Sequence, residues 1–232
     1  MHYGKMRWQQ DSPDMLKLVI GNKNYSSWSM RPWLALRANA IPFEEVFIPL
    51  YTDNKADKDR ILSFSKAGKV PTLIDGDVAV WDSLAIIEYL AERFPESKLW
   101  PSDRAARAHA RAISAEMHSG FVPLRSECGM NLHRPIRAVA LSDDARANVA
   151  RIQEIWAECH ARYGKEGPFL FGAFSGADAM YAPVVHRFRT YAIPVKVEAQ
   201  HYVDAMMSLP AFQEWTRDGL AETLRIDRFE DA

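Results

Sequence analysis

The stretch Lys69–Leu90, KVPTLIDGDVAVWDSLAIIEYL, decides the fold. Val70-Pro71-Thr72-Leu73-Ile74 reads as a strand with Pro71 at its beginning, because proline lacks the N–H that a ladder needs. Asp75-Gly76 is a hairpin turn signal, and Val78, Val80 and Trp81 continue into a second strand. Asp82 and Ser83 are both suited to open a helix. The apolar positions Leu84, Ile87, Ala91 and Phe94 follow at spacings of 3, 4 and 3, the signature of one buried helix face. A strand, a tight turn, a strand and a capped amphipathic helix thus succeed one another within 26 residues.

Upstream, Leu16-Lys17-Leu18-Val19-Ile20 predicts a strand, broken by Gly21, Asn22 and Asn24. Ser29 is the expected cap of a helix from Met30 to about Asn39, with Pro32 tolerated in its first turn. Phe43 to Pro49 predicts another strand, and Tyr51 to Lys66 a loop carrying a short helix. The order is therefore βαβαββα over residues 15–95. Residues 1–14 read as a flexible extension.

After Pro101 only helical patterns appear, so 102–232 is expected to be all-α, with Phe94 to Ser102 as the boundary. Ala105, Ala108, Ala112 and Ala115 make a small-residue stripe suited to close helix contact. Ala145, Val149, Ile152, Trp156, Cys159 and Tyr163 mark a long core helix. Ser175 and Asp178 have the spacing of a capping box. Phe212 and Trp215 anchor the last helix.

Composition excludes several classes of function. The 232 residues carry a formal net charge of -1 and no long basic run, so no nucleic-acid partner is implied. No apolar run is long enough to span a bilayer. Cys128 and Cys159 are the only cysteines and do not make a disulfide framework, so a cytoplasmic setting is expected. No metal-ligand spacing is present.

Chemistry is expected where the motifs meet helix starts. Tyr25-Ser26-Ser27-Trp28-Ser29 lies between the first strand and first helix, where unpaired N–H groups and the helix dipole favour an anion. If Ser29 caps, Ser26 and Ser27 are free for a bound thiolate. Lys69-Val70-Pro71 offers outward-facing backbone if the bond before Pro71 is cis. Asp82 and Ser83 can clamp an ammonium and a carboxylate, although capping alone explains both. His118, Phe121 and Arg125 fall at helical spacing and can serve an apolar mouth, or simply a core and a solvated face.

In this order the motifs resemble the soluble glutathione transferases from Met15 onward. Ser26-Ser27-Trp28-Ser29 is similar to the Ser-Ser-Cys-Ser motif of the zeta class, the maleylacetoacetate isomerases. Asp82-Ser83-Leu84-Ala85-Ile86-Ile87-Glu88-Tyr89-Leu90 is similar to that class's Gln-Ser-Leu-Ala-Ile-Ile-Glu-Tyr-Leu segment. The resemblance implies a thioredoxin-like domain followed by a helical bundle, in a cytoplasmic homodimer of the detoxifying type. Glutathione would be the co-substrate, with no metal.

It also implies site residues. Ser26 would be the thiolate donor. Ser27, Lys69, Val70, Pro71, Asp82 and Ser83 would hold glutathione, with a cis Pro71, Val70 pairing the cysteinyl backbone and Ser83 on the γ-glutamyl carboxylate. Trp28, Trp33, His118, Phe121 and Arg125 would line the pocket for a small hydrophobic electrophile. Trp28 replaces the cysteine of the zeta motif. A glutathione-dependent cis-trans isomerase is one alternative, with Arg125, Arg187 and Arg189 available to a diacid. A non-catalytic glutathione- or ligand-binding protein is the other.

Overall fold

The computed structural model describes residues 15–230; the extension expected at 1–14 lies outside them. A four-stranded mixed sheet comes first, in the order β2-β1-β3-β4. It is built from β1 (Lys17–Ile20), β2 (Glu44–Phe47), β3 (Thr72–Asp75) and β4 (Val78–Trp81). β1 runs parallel to β2 and antiparallel to β3, which turns back into β4 through Gly76 at φ 55°. Helices α1 (Ser27–Ala38), α2 (Lys55–Phe64) and α3 (Ser83–Arg93) complete the expected βαβαββα order.

Helices α4 (Arg104–Ser119), α5 (Val122–Glu127), α6 (Asp143–Tyr163), α7 (Gly176–Thr190), α8 (Val197–Ser208) and α9 (Pro210–Ala221) form the helical half. The long apolar stripe of α6 buries Ala145, Ile152, Trp156 and Cys159 as its spacing requires. Each such large side chain removed from water contributes roughly 1.5–3 kcal/mol. Buried α7 lies at the centre, against α1 of the sheet half and α4 of its own. Its start is the expected capping box: the Ser175 N–H and hydroxyl both donate to Asp178 at 2.8 Å, and the Leu170 N–H donates to the other carboxylate oxygen at 3.0 Å. Burial still pushes the Asp178 carboxyl up to about 6.

One local expectation differs, and the placement of the alanine stripe bears on another. Helix α1 starts three residues early, with Ser26 rather than Ser29 as its cap. The Tyr25 and Ser26 N–H groups both close a turn onto the Asn22 carbonyl, so the chain enters the helix sooner. Ser29 then falls inside the helix, where its hydroxyl accepts from the Gly21 N–H at 3.2 Å. The alanine stripe of α4 also faces away from the core. Ala106, Ala110, Ile113 and Met117 are buried, whereas Ala105, Ala108, Ala112 and Ala115 are exposed. No helix among the described residues is long and apolar enough to cross a membrane.

Candidate functional site

Strand register brings three chain segments to one edge of the sheet. Val19 near the end of β1 pairs with Thr72 at the start of β3, and Thr72 pairs with Trp81 at the end of β4. The loop into α1, the approach to β3 and the start of α3 therefore meet side by side. Two helix N-termini open at this edge, and both favour negative charge.

The loop before α1 is held from the helical half. Glu222 accepts from the Lys23 and Asn24 N–H groups at 2.6 and 3.2 Å, and the Trp215 indole donates to the Lys23 carbonyl at 3.1 Å. Asn24 in turn accepts from the Leu132 and His133 N–H groups. Gly219 lets α9 press on this loop, since a Cβ there would stand 3.2 Å from the Lys23 backbone carbon and closer still to Leu132.

The two candidate serines have different surroundings. Ser26 is 7 % exposed; its oxygen accepts from the Ser29 N–H at 3.3 Å and its hydroxyl donates to Ser29 Oγ at 2.8 Å. Ser27 is half-buried and opens on a pocket of about 300 Å³. Its oxygen accepts from Arg187 Nη2 at 3.4 Å.

At the second segment, the Val70-Pro71 bond is cis. Val70 precedes the β3 ladder, and its backbone takes no part in the strand register. Lys69 is exposed, and its carbonyl accepts from the Thr72 hydroxyl.

At the third, Asp82 caps α3, accepting from the Leu84 and Ala85 N–H groups at 2.9 and 3.4 Å. Its φ of 78° lies in the left-handed region, a local strain that a non-glycine residue adopts only where its surroundings hold it. The other carboxylate oxygen lies 3.3 Å from His118 Nε2. Ser83 is fully buried, and its hydroxyl accepts from Arg31 Nη1 at 3.2 Å.

Trp28 joins these groups. Its ring is flanked by the guanidinium groups of Arg31 and Arg125 at 4.5 and 5.0 Å and met edge-on by His118. Arg31 is 2 % exposed and its Nε has no partner. Burial, then the neighbouring Arg125 and Arg187, push it down to about 9. Burial and Arg125 likewise lower Arg187 to about 10. Among the described residues none of the three pairs with a carboxylate; Arg187 donates to the Cys128 carbonyl and Arg125 to the carbonyls of His118 and Gly120. The three guanidinium groups outnumber the one nearby carboxylate, Asp82, so the site keeps an excess of positive charge.

The pocket beside Ser27 is walled by Tyr25, Trp28, Tyr51, Arg125, Arg187 and Phe229, among others. Of the five side chains expected there, Trp28 and Arg125 line it. His118 stands behind Trp28, between that ring and Asp82. Trp33 and Phe121 do not line it. Trp33 is 2 % exposed in the core, donating to Glu45 and set edge-on against Trp215, because it lies more than a helical turn past the mouth. Phe121 caps α5 in the left-handed region, with φ 57°, and is buried in the hydrophobic core. Arg31 was legible only as a lone charge inside the apolar run of α1. Tyr51 and Phe229 carry no motif at all. Both cysteines are buried, Cys159 in α6 and Cys128 behind the pocket wall next to Arg187, their thiols pushed up by burial to about 11 for Cys128 and about 12 for Cys159.

Comparison with known proteins bears on this arrangement. Residues 25–93 match the model of the glutathione S-transferase N-terminal domain, and residues 140–218 that of the C-terminal domain. The chain is 28 % identical over 207 residues to glutathione S-transferase Z2 of Arabidopsis thaliana, covering 82 % of this chain and 88 % of that one. It is 41 % identical over 102 residues to a probable maleylacetoacetate isomerase of Caenorhabditis elegans, covering 44 % of this chain and 46 % of that one. Its fold is similar to that of a Burkholderia glutathione transferase homologue with bound glutathione. The TM-score is 0.65 at 24 % identity, with 89 % of this chain and 99 % of the other covered.

Proposed function

We propose an activity for this chain on the premise that it belongs to the glutathione S-transferase family, as the matches along both halves of its length show. It is a glutathione transferase: it binds glutathione at the sheet edge and delivers the thiolate to an electrophile in the pocket beside Ser27. The convergence of the α1 start, Val70 and the α3 start through the Val19–Thr72–Trp81 register carries this reading. An extended tripeptide with a carboxylate and ammonium at one end and a thiol in the middle fits that spacing. Val70 backbone pairs with its cysteinyl unit, Ser83 and the α3 N-terminus take the γ-glutamyl carboxylate, and Asp82 takes the ammonium.

The thiol is activated at the α1 start. A free thiol titrates near 8.5, so lowering it by two units needs about 2.7 kcal/mol of preference for the thiolate. Ser26 is the donor. Its hydrogen now goes to a neutral hydroxyl, and a thiolate competes better because a hydrogen bond to a charged group contributes about 1.5–3 kcal/mol against about 0.5–1.5 for a neutral one. The helix N-terminus adds about 0.3–1 kcal/mol. The Arg187 guanidinium beside Ser27 favours negative charge in the same space. Attack then rests on positioning and electrostatics.

Calorimetry and activity assays with glutathione test the reading. Millimolar glutathione should bind, and an S-alkyl glutathione should compete with it. No binding would overturn it.

A second reading draws on one observation: Arg125 and Arg187 line the pocket with no carboxylate partner among the described residues. Such a pocket suits an electrophile that carries its own carboxylate. A cis-trans isomerase of maleyl diacids would add glutathione across the double bond, allow rotation and release it unchanged. NMR of a maleyl diacid with substoichiometric glutathione separates the two, since isomerisation would proceed without loss of thiol.

We also place the active form as a homodimer. The exposed alanine stripe of α4 and the exposed Trp81 and Val78 of edge strand β4 leave small and apolar surface uncovered in a single chain.

A further inference from the structure

The described residues after α9 do not run off into solvent. Residues 225–230 fold back across the mouth of the pocket and touch three separate parts of the molecule. Ile226 is buried, and its N–H donates to the Tyr25 hydroxyl at 3.2 Å. The same Tyr25 hydroxyl donates to Glu230 at 2.5 Å. Asn131, from the helical half, donates to that Glu230 oxygen and to the Phe229 carbonyl, both at 3.2 Å. Arg225 pairs with the other Glu230 oxygen at 2.7 Å.

Phe229 is the part that faces the pocket. Its ring packs on Tyr25 at 5.6 Å and edge-on to Tyr51 at 5.4 Å, and Arg228 lies over both Tyr51 and Phe229. It lines the same pocket as Arg125 and Trp28. A second cavity, of about 260 Å³, is lined by Glu230 and Arg225 together with Asn131, His133, Arg134 and Pro135. Phe229 lines one space and its neighbour Glu230 the other. The strap, a single 3-10 turn over Asp227–Phe229, is therefore a partition between them, fastened by buried Ile226, the Phe229 ring contacts and a few polar bonds.

We propose that residues 225–230 form a latched strap whose Phe229 sets the upper size of the group accepted on the glutathione sulfur, the second cavity being the space that opens when the latch is loosened. The proposal rests on the glutathione reading above. It makes Phe229 a specificity-determining residue and Tyr25, Asn131 and Glu230 positioning residues that act through it.

Calorimetry of the full chain with glutathione, S-methylglutathione, S-hexylglutathione and S-octylglutathione tests it. In the wild type, affinity should rise from methyl to hexyl and then stop rising or fall at octyl. Phe229→Ala should tighten octyl binding about tenfold, with glutathione and S-methylglutathione changed less than twofold. Glu230→Ala and Tyr25→Phe leave the Phe229 ring in place and only unfasten the strap. They should shift octyl binding the same way, by about threefold, with the fold checked by circular dichroism. Equal changes for all four ligands, no change for any, or weaker octyl binding in Phe229→Ala would overturn the strap while leaving the glutathione site intact. Failure of the wild type to bind glutathione itself would overturn the glutathione reading and the strap's role with it.

Discussion

The guanidinium of Arg31 donates to the Ser83 hydroxyl at 3.2 Å within a seam where both side chains are buried, joining the second turn of α1 to the first residue of α3. A serine that accepts from behind keeps its own hydrogen to give forward, to a carboxylate at the α3 N-terminus. Arg31 makes no direct contact with a carboxylate among the described residues, is drawn only at longer range to Asp82, and leaves Nε unsatisfied. Burying a cation this way costs stability unless it is paired, and replacing such a group by an apolar one of similar size is often neutral or stabilising.

Arg31→Met should therefore hold or raise the melting temperature while weakening glutathione binding by about tenfold, seen as a raised KM with a smaller change in kcat. A large fall in melting temperature with KM unchanged would show Arg31 to be a packing residue only.

Asp82 has two tasks that one substitution can divide. Asparagine caps helices about as well as aspartate and tolerates positive φ. Asp82→Asn should then preserve thermal stability but remove the charge offered to the γ-glutamyl ammonium. The glutathione KM should rise by about tenfold or more, corresponding to the 1.5–3 kcal/mol of a charged hydrogen bond. An unchanged KM would reduce Asp82 to a cap with His118 as its neighbour.

The sheet half was legible in the sequence because its signals are local. Asp75-Gly76 marks a turn and Asp82-Ser83 a helix start without knowing what packs on them. The fully buried face of α3, however, is Ile86, Ile87 and Leu90, turned from the expected Leu84, Ile87, Ala91 and Phe94, which are only partly buried apart from Ile87. The start of α1 was misread for the opposite reason. Tyr25-Ser26-Ser27-Trp28-Ser29 offers three serine hydroxyls, and the choice among them is made by the Asn22 carbonyl and the Gly21 N–H, which act through a turn that propensity does not encode. The pocket was half legible. Trp28 and Arg125 sit near recognisable motifs, whereas Arg187 reaches Ser27 across 160 residues of chain and Phe229 reaches Tyr25 across 204, distances that no periodic pattern reports.

The exposed face of α4 predicts assembly. Ala108 and Ala112 lie one turn apart and touch nothing that needs a small side chain in the single chain. Ala108→Glu with Ala112→Glu should leave an isolated subunit stable, since both positions face water there. If α4 packs closely on a second copy, the pair of charges should convert a dimer to a monomer by sedimentation at micromolar concentration. A wild-type monomer, or a variant that stays dimeric, would place the contact elsewhere or nowhere.

His186 sets a pH dependence of stability. It is buried, stacked on Phe212 at 4.1 Å, and its Nε2 lies 3.2 Å from the Thr216 hydroxyl. Burial and then Arg189 and Arg187 push it down to about 3. Its folded value lies below the unfolded one, near 6.5. The stability it contributes is thus fully present above about 6.5 and is lost as pH falls toward 3. The unfolded state binds one more proton across that window, so the slope is about 1.36 kcal/mol per pH unit. Asp178, raised to about 6, works in the opposite sense over part of the same range. Comparing His186→Gln with wild type in denaturant melts from pH 7 to 4 isolates the histidine. The gap between them should narrow by about that slope as pH falls, and a gap independent of pH would show that His186 is accessible to protons in the fold.

The serine at the α1 start permits the sharpest test of the proposed chemistry, because its two roles have separate readouts. Ser26 caps the helix, so Ser26→Ala should lose about 0.5–2 kcal/mol of stability. It also gives its hydrogen to Ser29 Oγ at 2.8 Å, and that bond must be released before it serves a thiolate. The net gain is the difference between a charged and a neutral hydrogen bond, about 1–1.5 kcal/mol, or about one pKa unit. Thiolate absorbance of bound glutathione should then show the thiol about one unit higher in Ser26→Ala. The rate at pH 7 should fall up to about tenfold and recover at alkaline pH. Ser26→Asp keeps the cap but has no hydrogen to donate and adds a negative charge, so it should restore the melting temperature while raising the thiol further. Ser27→Ala removes a hydroxyl from the pocket without touching the cap, and should leave both the melting temperature and the thiol nearly unchanged. A large thiol shift in Ser27→Ala with none in Ser26→Ala would transfer the donor role to Ser27, whose oxygen already accepts from Arg187 and whose hydrogen has no acceptor among the described residues.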